Sequence, residues 1–433
     1  MHKTLWFKIH WILGFFFGLT LIIIGVTGST LSYQKELTKF FNKDSYIVEV
    51  PQDQAKLSAK ELLEKYQESN PKAKINSISF SSNLESSVVL NIASEEPNER
   101  KGKNVYLNPY TAEVLPEIKG NDFFSLMLRL HRWLAFEGDY RTVGKQVVAI
   151  STIACIILTI SGLIIYWPRV KHAFFKSFTF SFKHKNRAFL STMHSAVGMW
   201  VIPLFLLMTL TGLYWSYDWY RAMLYNIAGV EQPVRAQQPQ AKEGQEAEGQ
   251  KGQAEQGQKD KRPQDGQNAR MQGEKPEGDM PRKEGMKPEG QKPQQQKAKS
   301  NFNEHQKAIN MFEIFVQKDY ENATLRFPQK GTIYSISYLD VDAAHYRARN
   351  TIEVDINSWQ LLKHDKYEDK PLNEKLIGSM LPLHTGEYFG VIGQTLAFIA
   401  SGLMALFVIT GYMLYYDRWK KKKAKALKEK AKS

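Results

Sequence analysis

Four stretches of the chain, residues 5 to 32, 146 to 167, 193 to 216 and 391 to 416, are apolar and almost free of charge. Each reaches the roughly 20 residues that a helix needs to cross a hydrocarbon core about 30 Å thick. The pattern therefore predicts four transmembrane helices. Between the first and second stretches the period changes: LSAKELLEKY (57–66) has helical spacing behind a candidate serine cap, and INSISF, SVVLNI and NVYLNPYTAEVL alternate as strands do. Between the third and fourth, MFEIFVQKDY reads as helix, and TIYSISYLDV and NTIEVDINSWQLLK read as strands. The expected fold is an integral membrane α-helical protein with helices in 1–33, 144–168, 191–217 and 389–416. Two small α+β domains fill 34–143 and 218–388, with a loop at 169–190 and a tail at 417–433. Within the second domain, residues 232–300 are dominated by Gln, Lys, Glu, Gly and Pro. Such a composition buries too little apolar surface to offset its ordering entropy, so a disordered insertion is expected there.

The apolar stretches also match each other. In the first, Gly28 follows His10 by 18 residues and Tyr33 follows it by 23; in the third, Gly212 and Tyr217 follow His194 at the same distances. His131 and His384 precede the second and fourth stretches, where Gly144 to Gly162 and Gly393 to Gly411 again span 18 residues. Those two stretches close on Tyr166 and Arg169, and on Tyr415 and Arg418. A parallel duplication of about 1–170 and 190–418 explains the register, and such repeats pack around an axis along the membrane normal.

The net charge of +14 sits mainly beside the apolar stretches. Arg169, Lys171, Lys176, Lys183, Lys185 and Arg187 lie between the second and third with no acidic residue among them, and DRWKKKKAKALKEKAKS follows the fourth. The positive-inside rule puts both segments, and with them both termini, in the cytoplasm. It also removes any need for nucleic acid as a partner. The first stretch has the flanks of a signal peptide, but its match to an internal helix favours a retained anchor. Cys155 is the only cysteine and falls inside the second helix, so neither a disulfide nor a thiolate cluster is expected.

With that topology His10 and His194 share the cytoplasmic depth, and His131 and His384 share the outer depth. A histidine from each of two packed helices can supply both axial ligands of a haem iron. Two haems b at two depths are expected, with these four histidines as cofactor and metal ligands. Gly14, Gly18 and Gly198, one or two turns from the inner histidines, leave room for a flat macrocycle. Arg129, Arg132 and Arg141 at the outer pair, and Lys8, Lys185 and Arg187 at the inner pair, are candidate partners for its carboxylates. The Thr-Gly and Ser-Gly pairs at 27–28, 161–162, 211–212, 401–402 and 410–411 read as helix-packing positions. Trp6, Trp11, Trp167, Trp215, Trp219 and Trp419 read as interfacial belt residues, and Tyr217, Trp219 and Tyr220 as anchors just outside the third helix. His172, His184, His305, His345 and His364 have no repeat partner and are expected at the surface. No charged residue sits at mid-membrane, which disfavours a permease.

The segments IHWILGFFFG…TG, LHRWLAFEGDYRTVG…SGL, MHSAVGMW…TLTGLYWSY and LHTGEYFGVIGQ…ITGYMLYYDRW resemble the PepSY-associated transmembrane helix proteins of bacteria, often labelled iron-regulated membrane proteins. LSAKELLEKY…NVYLNPYTAEVL is similar to a PepSY domain. The resemblance covers nearly the whole chain outside 232–300. It implies a di-haem oxidoreductase of the bacterial inner membrane that passes electrons to a ferric siderophore, with His10, His131, His194 and His384 as axial ligands. The arginine after His131 is replaced by Thr385 after His384, a departure from symmetry at the outer site. No G-x-G-x-x-G motif is present, so a separate cytoplasmic protein or the quinone pool is the expected donor. The alternative is a non-enzymatic, membrane-anchored PepSY binding or regulatory protein, which needs no matched histidines.

Overall fold

The computed structural model describes residues 2–94, 102–232, 302–328 and 330–430. The insertion expected at 232–300 lies, from residue 233 onward, outside them. Four long helices, His2–Ser32, Tyr140–His172, Asn186–Ser216 and Gly390–Lys430, carry the four apolar stretches. All four are long and apolar enough to cross a membrane. Their outward side chains, such as Phe16, Leu19, Val391 and Ile392, are exposed as a lipid-facing surface would be. The helices form a closed ring in which each touches the next and the fourth touches the first.

Small residues let the ring close. A methyl group added at Gly25 would come within 2.6 Å of Met404 Cβ, and one at Gly18 within 2.6 Å of Tyr412 Oη and 2.8 Å of Val408 Cγ1. Gly18 therefore serves contact between the first and fourth helices, not clearance for a cofactor as its spacing from His10 suggested. Cys155 is buried beside Leu21 and Val408, the packing role expected of it.

The polar segments fold into one layer. Strands β1 (Ile75–Phe80), β2 (Val88–Ile92) and β3 (Lys103–Leu107) come from the first half; β4 (Tyr320–Arg326), β5 (Ile333–Asp340), β6 (Asn350–Asp355) and β7 (Gln360–Asp365) come from the second. They form a single antiparallel sheet in the order β3-β2-β1-β4-β5-β6-β7. The seam is β1 with β4, where Ile78 faces Leu325 and Ser79 faces Thr324. Two separate α+β domains were expected, but β1 and β4 would each be an open edge in isolation, and pairing them satisfies both. The helices Ala59–Ser69 and Phe302–Phe315 pack together, and Leu62, Leu63, Ile78, Leu90, Phe312, Ile336 and Ile352 share one core. The serine cap is present: Ser58 Oγ accepts from Glu61 N, and the Glu61 carboxylate accepts from Ser58 N at 2.8 Å.

Phe312 has no exposed surface; it touches the rings of Tyr320 and Tyr338 in its own half and that of Phe80 across the seam. Phe312→Ala is expected to lower the unfolding free energy of the layer by about 3–5 kcal/mol, read from denaturant melts of the full chain in detergent. A change below about 1 kcal/mol would mean that the two halves do not share this core.

His172 and His184 are exposed as expected. Of the other three unmatched histidines, His305 and His364 are partly exposed and His345 departs from the expected surface position. His345 is buried, with Nε2 3.1 Å from Tyr367 Oη and 3.0 Å from Ser379 Oγ. His305 stacks on Phe327 at 3.8 Å and meets Tyr334 Oη at 2.9 Å, and His364 Nε2 lies 2.7 Å from Tyr338 Oη. A hydroxyl partner for a ring nitrogen makes such burial tolerable.

Candidate functional site

The four matched histidines come together in two pairs. His10 of the first helix faces His194 of the third across the ring, with ring centroids 6.4 Å apart and planes at 75°. His131, on the short helix Asn121–Trp133, faces His384, on the short helix Met380–Thr385, with centroids 6.2 Å apart and planes at 67°. The first pair lies at the end of the ring that carries the termini, the second at the end that leads into the sheet. From His10 to Thr27, which touches His131, the first helix rises roughly 25 Å at about 1.5 Å per residue.

Both spacings suit a metal held between two imidazoles. With a nitrogen–metal distance of about 2.0–2.1 Å and a ring centre about 1.1 Å behind each nitrogen, the centroids of two opposed ligands would be about 6.3 Å apart. The tautomers suit it as well. His131 Nδ1 lies 3.0 Å from Ile24 O and 3.2 Å from Thr27 Oγ1; His384 Nδ1 lies 2.9 Å from Met208 O and 3.1 Å from Thr211 Oγ1. A carbonyl can only accept, so Nδ1 carries the proton in both rings and Nε2 keeps its lone pair. His10 Nδ1 is 2.9 Å from Ser161 Oγ, and His194 Nδ1 is 2.8 Å from Thr410 Oγ1. Those hydroxyls already donate to Leu158 O and Leu406 O, so they accept from the histidines. Every ring thus has the anchored Nδ1–H that accompanies ligation through Nε2. Burial, reinforced by the facing His384, holds His131 down at about 4, and burial lowers His384 too, so both imidazoles are neutral near pH 7.

These contacts recast the small-residue pairs. Thr27, Thr211, Ser161 and Thr410 are the hydrogen-bond partners of the histidines, and the glycine that follows clears space for the ring at three of the four places. A methyl group on Gly28 would meet His131 Cε1 at 2.9 Å, one on Gly212 would meet His384 Cε1 at 3.2 Å, and one on Gly162 would meet His10 Cε1 at 3.4 Å. Nothing lies within 4 Å of such a group on Gly411. The sequence signal was present in the 18-residue register. What it lacked was the knowledge that four of the five small pairs abut a histidine from another segment, while Ser401-Gly402 serves helix packing against Gly25 and Ser29.

A cavity of about 310 Å³ opens at His10 and His194 and is lined by Gly14, Gly198, Tyr166 and Tyr415, as well as by residues deeper in the ring such as Cys155 and Met404. Gly14 and Gly198 therefore stand where clearance was expected. Of the three basic residues considered for this level, Arg187 lines the cavity; so does Arg418, whose guanidinium sits 4.3 Å from the ring of Phe7. Lys8 and Lys185 are not among its lining residues. At the sheet end Arg132 and Arg141 lie over Trp133 at 5.4 and 4.2 Å, and Arg129 pairs with Glu137 at 3.3 Å. Two aromatic contacts were not foreseen: Phe407 against His194 at 5.2 Å and Trp215 against His384 at 5.6 Å.

A family model for the PepSY-associated TM region matches residues 7–418, which include all four histidines and every element of the ring and the sheet. The chain belongs to that family. No curated protein matches it at a significant level. As a PepSY-associated TM region protein it has the four apolar helices and the β-layer described above, and the matched span runs from just ahead of His10 to Arg418.

The donor set narrows the chemistry. Among the described residues no group of three or more His, Cys, Asp or Glu side chains could hold a metal ion. Two imidazoles at each level are too few for a closed zinc site, which takes four protein ligands. They are the complement needed by an iron whose other four donors belong to a macrocycle. The residues present fit haem on three counts: ring spacing, anchored Nδ1–H and glycine clearance.

Proposed function

We propose that this protein is a haem-b membrane oxidoreductase of the bacterial inner membrane, holding one haem between His10 and His194 and a second between His131 and His384. The observation that carries this reading is the pair of imidazole–imidazole spacings, each with its Nδ1–H anchored. Haem supplies one-electron transfer when bound, and two haems at two depths give electrons a route across the bilayer. The chain's own part is to fix four neutral imidazoles, keep water from them with apolar helix faces, and set their environment through Phe407 and Trp215.

The positive-inside distribution supports an orientation with the His10 level toward the cytoplasmic face and the His131 level toward the outer face. The substrate we propose is a ferric siderophore acting as outer acceptor, with the β-layer on the same side. Reduction would loosen the siderophore, because hard oxygen donors hold the more highly charged iron better. The electrons would come from a separate cytoplasmic protein or the quinone pool. To test the acceptor, dithionite-reduced protein freed of excess reductant is mixed with a ferric siderophore and a ferrous trap. The reading requires reoxidation of the protein with stoichiometric ferrous iron in the trap. Reduced protein that stays reduced over a panel of hydroxamate and catecholate siderophores would remove siderophores as the substrate.

A further inference from the structure

Trp11 follows His10 directly, and its indole Nε1 is buried with no hydrogen-bond partner among the described residues. The ring lines the cavity at His10 and His194 and packs at a tilt against Tyr415, with centroids 4.6 Å apart and planes at 32°, and is stacked with Phe15 at 6.0 Å. It is therefore fixed in place, not an interfacial belt residue free to reach headgroups. An indole N–H is a donor only, and buried donors in native proteins nearly always have an acceptor. The repeat does not account for it, since the matching residue after His194 is Ser195. Ser195 also lines the cavity, so the two faces differ here.

We infer that Trp11 Nε1–H donates a hydrogen bond to a carboxylate of the porphyrin held by His10 and His194. The inference rests on the haem reading of the preceding section and adds to it a cofactor-binding residue and an orientation. The periphery of haem b carries methyl, vinyl and propionate groups, and only the propionates accept hydrogen bonds. A buried donor beside the axial ligand thus selects the edge of the macrocycle that faces Trp11. The bond has a redox consequence: it offsets part of the carboxylate's negative charge, which otherwise favours ferric over ferrous iron.

The test is a redox titration of the full-length protein carrying Trp11→Phe, which keeps an aromatic ring on Tyr415 and deletes the donor. Two haems per chain are expected to remain, and one wave is expected to move to lower potential. That wave should be the one missing from His10→Ala. Retention of both haems with neither wave moved, or a shift confined to the other wave, would overturn the proposal while leaving the four-histidine assignment standing. If Trp11→Phe instead loses one haem, Trp11→Gln decides, because it restores an N–H donor without the ring. Recovery of that haem supports the hydrogen bond, and failure to recover it assigns the loss to packing and overturns the proposal. Wild-type protein without haem would overturn both this proposal and the reading beneath it.

Discussion

Replacing His10 or His194 by alanine is expected to remove one haem from the purified protein, and replacing His131 or His384 is expected to remove the other. The basis is geometric. The two rings of each pair are just over 6 Å apart, whereas roughly 25 Å of helix separates the levels. One lost ligand leaves the partner imidazole without its opposite number and does not touch the second site. The double variant His10→Ala/His194→Ala should therefore match either single variant, with about one haem left per chain. The variants His10→Ala and His131→Ala together should leave none. If His10→Ala removed the same spectral component as His131→Ala, the pairing by depth would be wrong.

The second large effect is expected at Gly28. A methyl group there would lie 2.7 Å from Ser401 Oγ and 2.9 Å from His131 Cε1, both below normal contact. Both contacts are too close for either neighbour to stay in place, so the methyl group displaces Ser401 Oγ from Gly25 O and with it the imidazole. Moving the imidazole breaks its bonds to Ile24 O and Thr27 Oγ1. Gly28→Ala should weaken haem retention at the sheet end by about 10–100-fold, the range for loss of an outer-shell contact, with the other haem unaffected. Gly402→Ala is the control, because its added methyl would make only an ordinary 3.5 Å contact with Ser29 Oγ. Equal haem loss in both variants, measured by pyridine haemochrome assay after gel filtration, would assign the effect to helix packing.

The pairing of the histidines was legible in the sequence because membrane topology reduces three dimensions to one. Once the helices are placed, depth follows from position, and equal depth brings His10 to His194 and His131 to His384. The roles of Thr27, Ser161, Thr211 and Thr410 were half legible. Their register with the histidines was visible, but which histidine each one meets depends on the order of helices around the ring, and small residues serve helix packing equally well. Gly18 shows the reverse case, a glycine at the right spacing whose neighbours are Tyr412 and Val408. Trp11 was read as a belt residue because its position near a helix end fits both roles, and only the packing of Tyr415 and Phe15 against it separates them.

The β-layer was legible in most of its strands, with β4 missed, and not as a whole. Alternation marks β1 as a strand, but β4, YENATLR, was not assigned as one, and nothing in the pattern records their pairing across more than two hundred residues. Each half was therefore read as a domain of its own, while the exposed edges of β1 and β4 were satisfied by each other. His345 was misplaced, and the burial of part of His305 and His364 was missed, for a related reason: a lone histidine looks like a surface group until a tyrosine from another segment is found beside its ring.

Bis-histidine binding of two haems is tested most directly by low-temperature electron paramagnetic resonance of the oxidised wild-type protein, with haem quantified on the same sample. Bis-histidine ligation predicts two low-spin ferric signals and two haems b per chain. Ring planes at 75° and 67° further predict that both signals are strongly anisotropic, since crossed imidazoles leave the iron d orbitals nearly degenerate. A folded but colourless protein, or one whose haem is high-spin, would contradict the account.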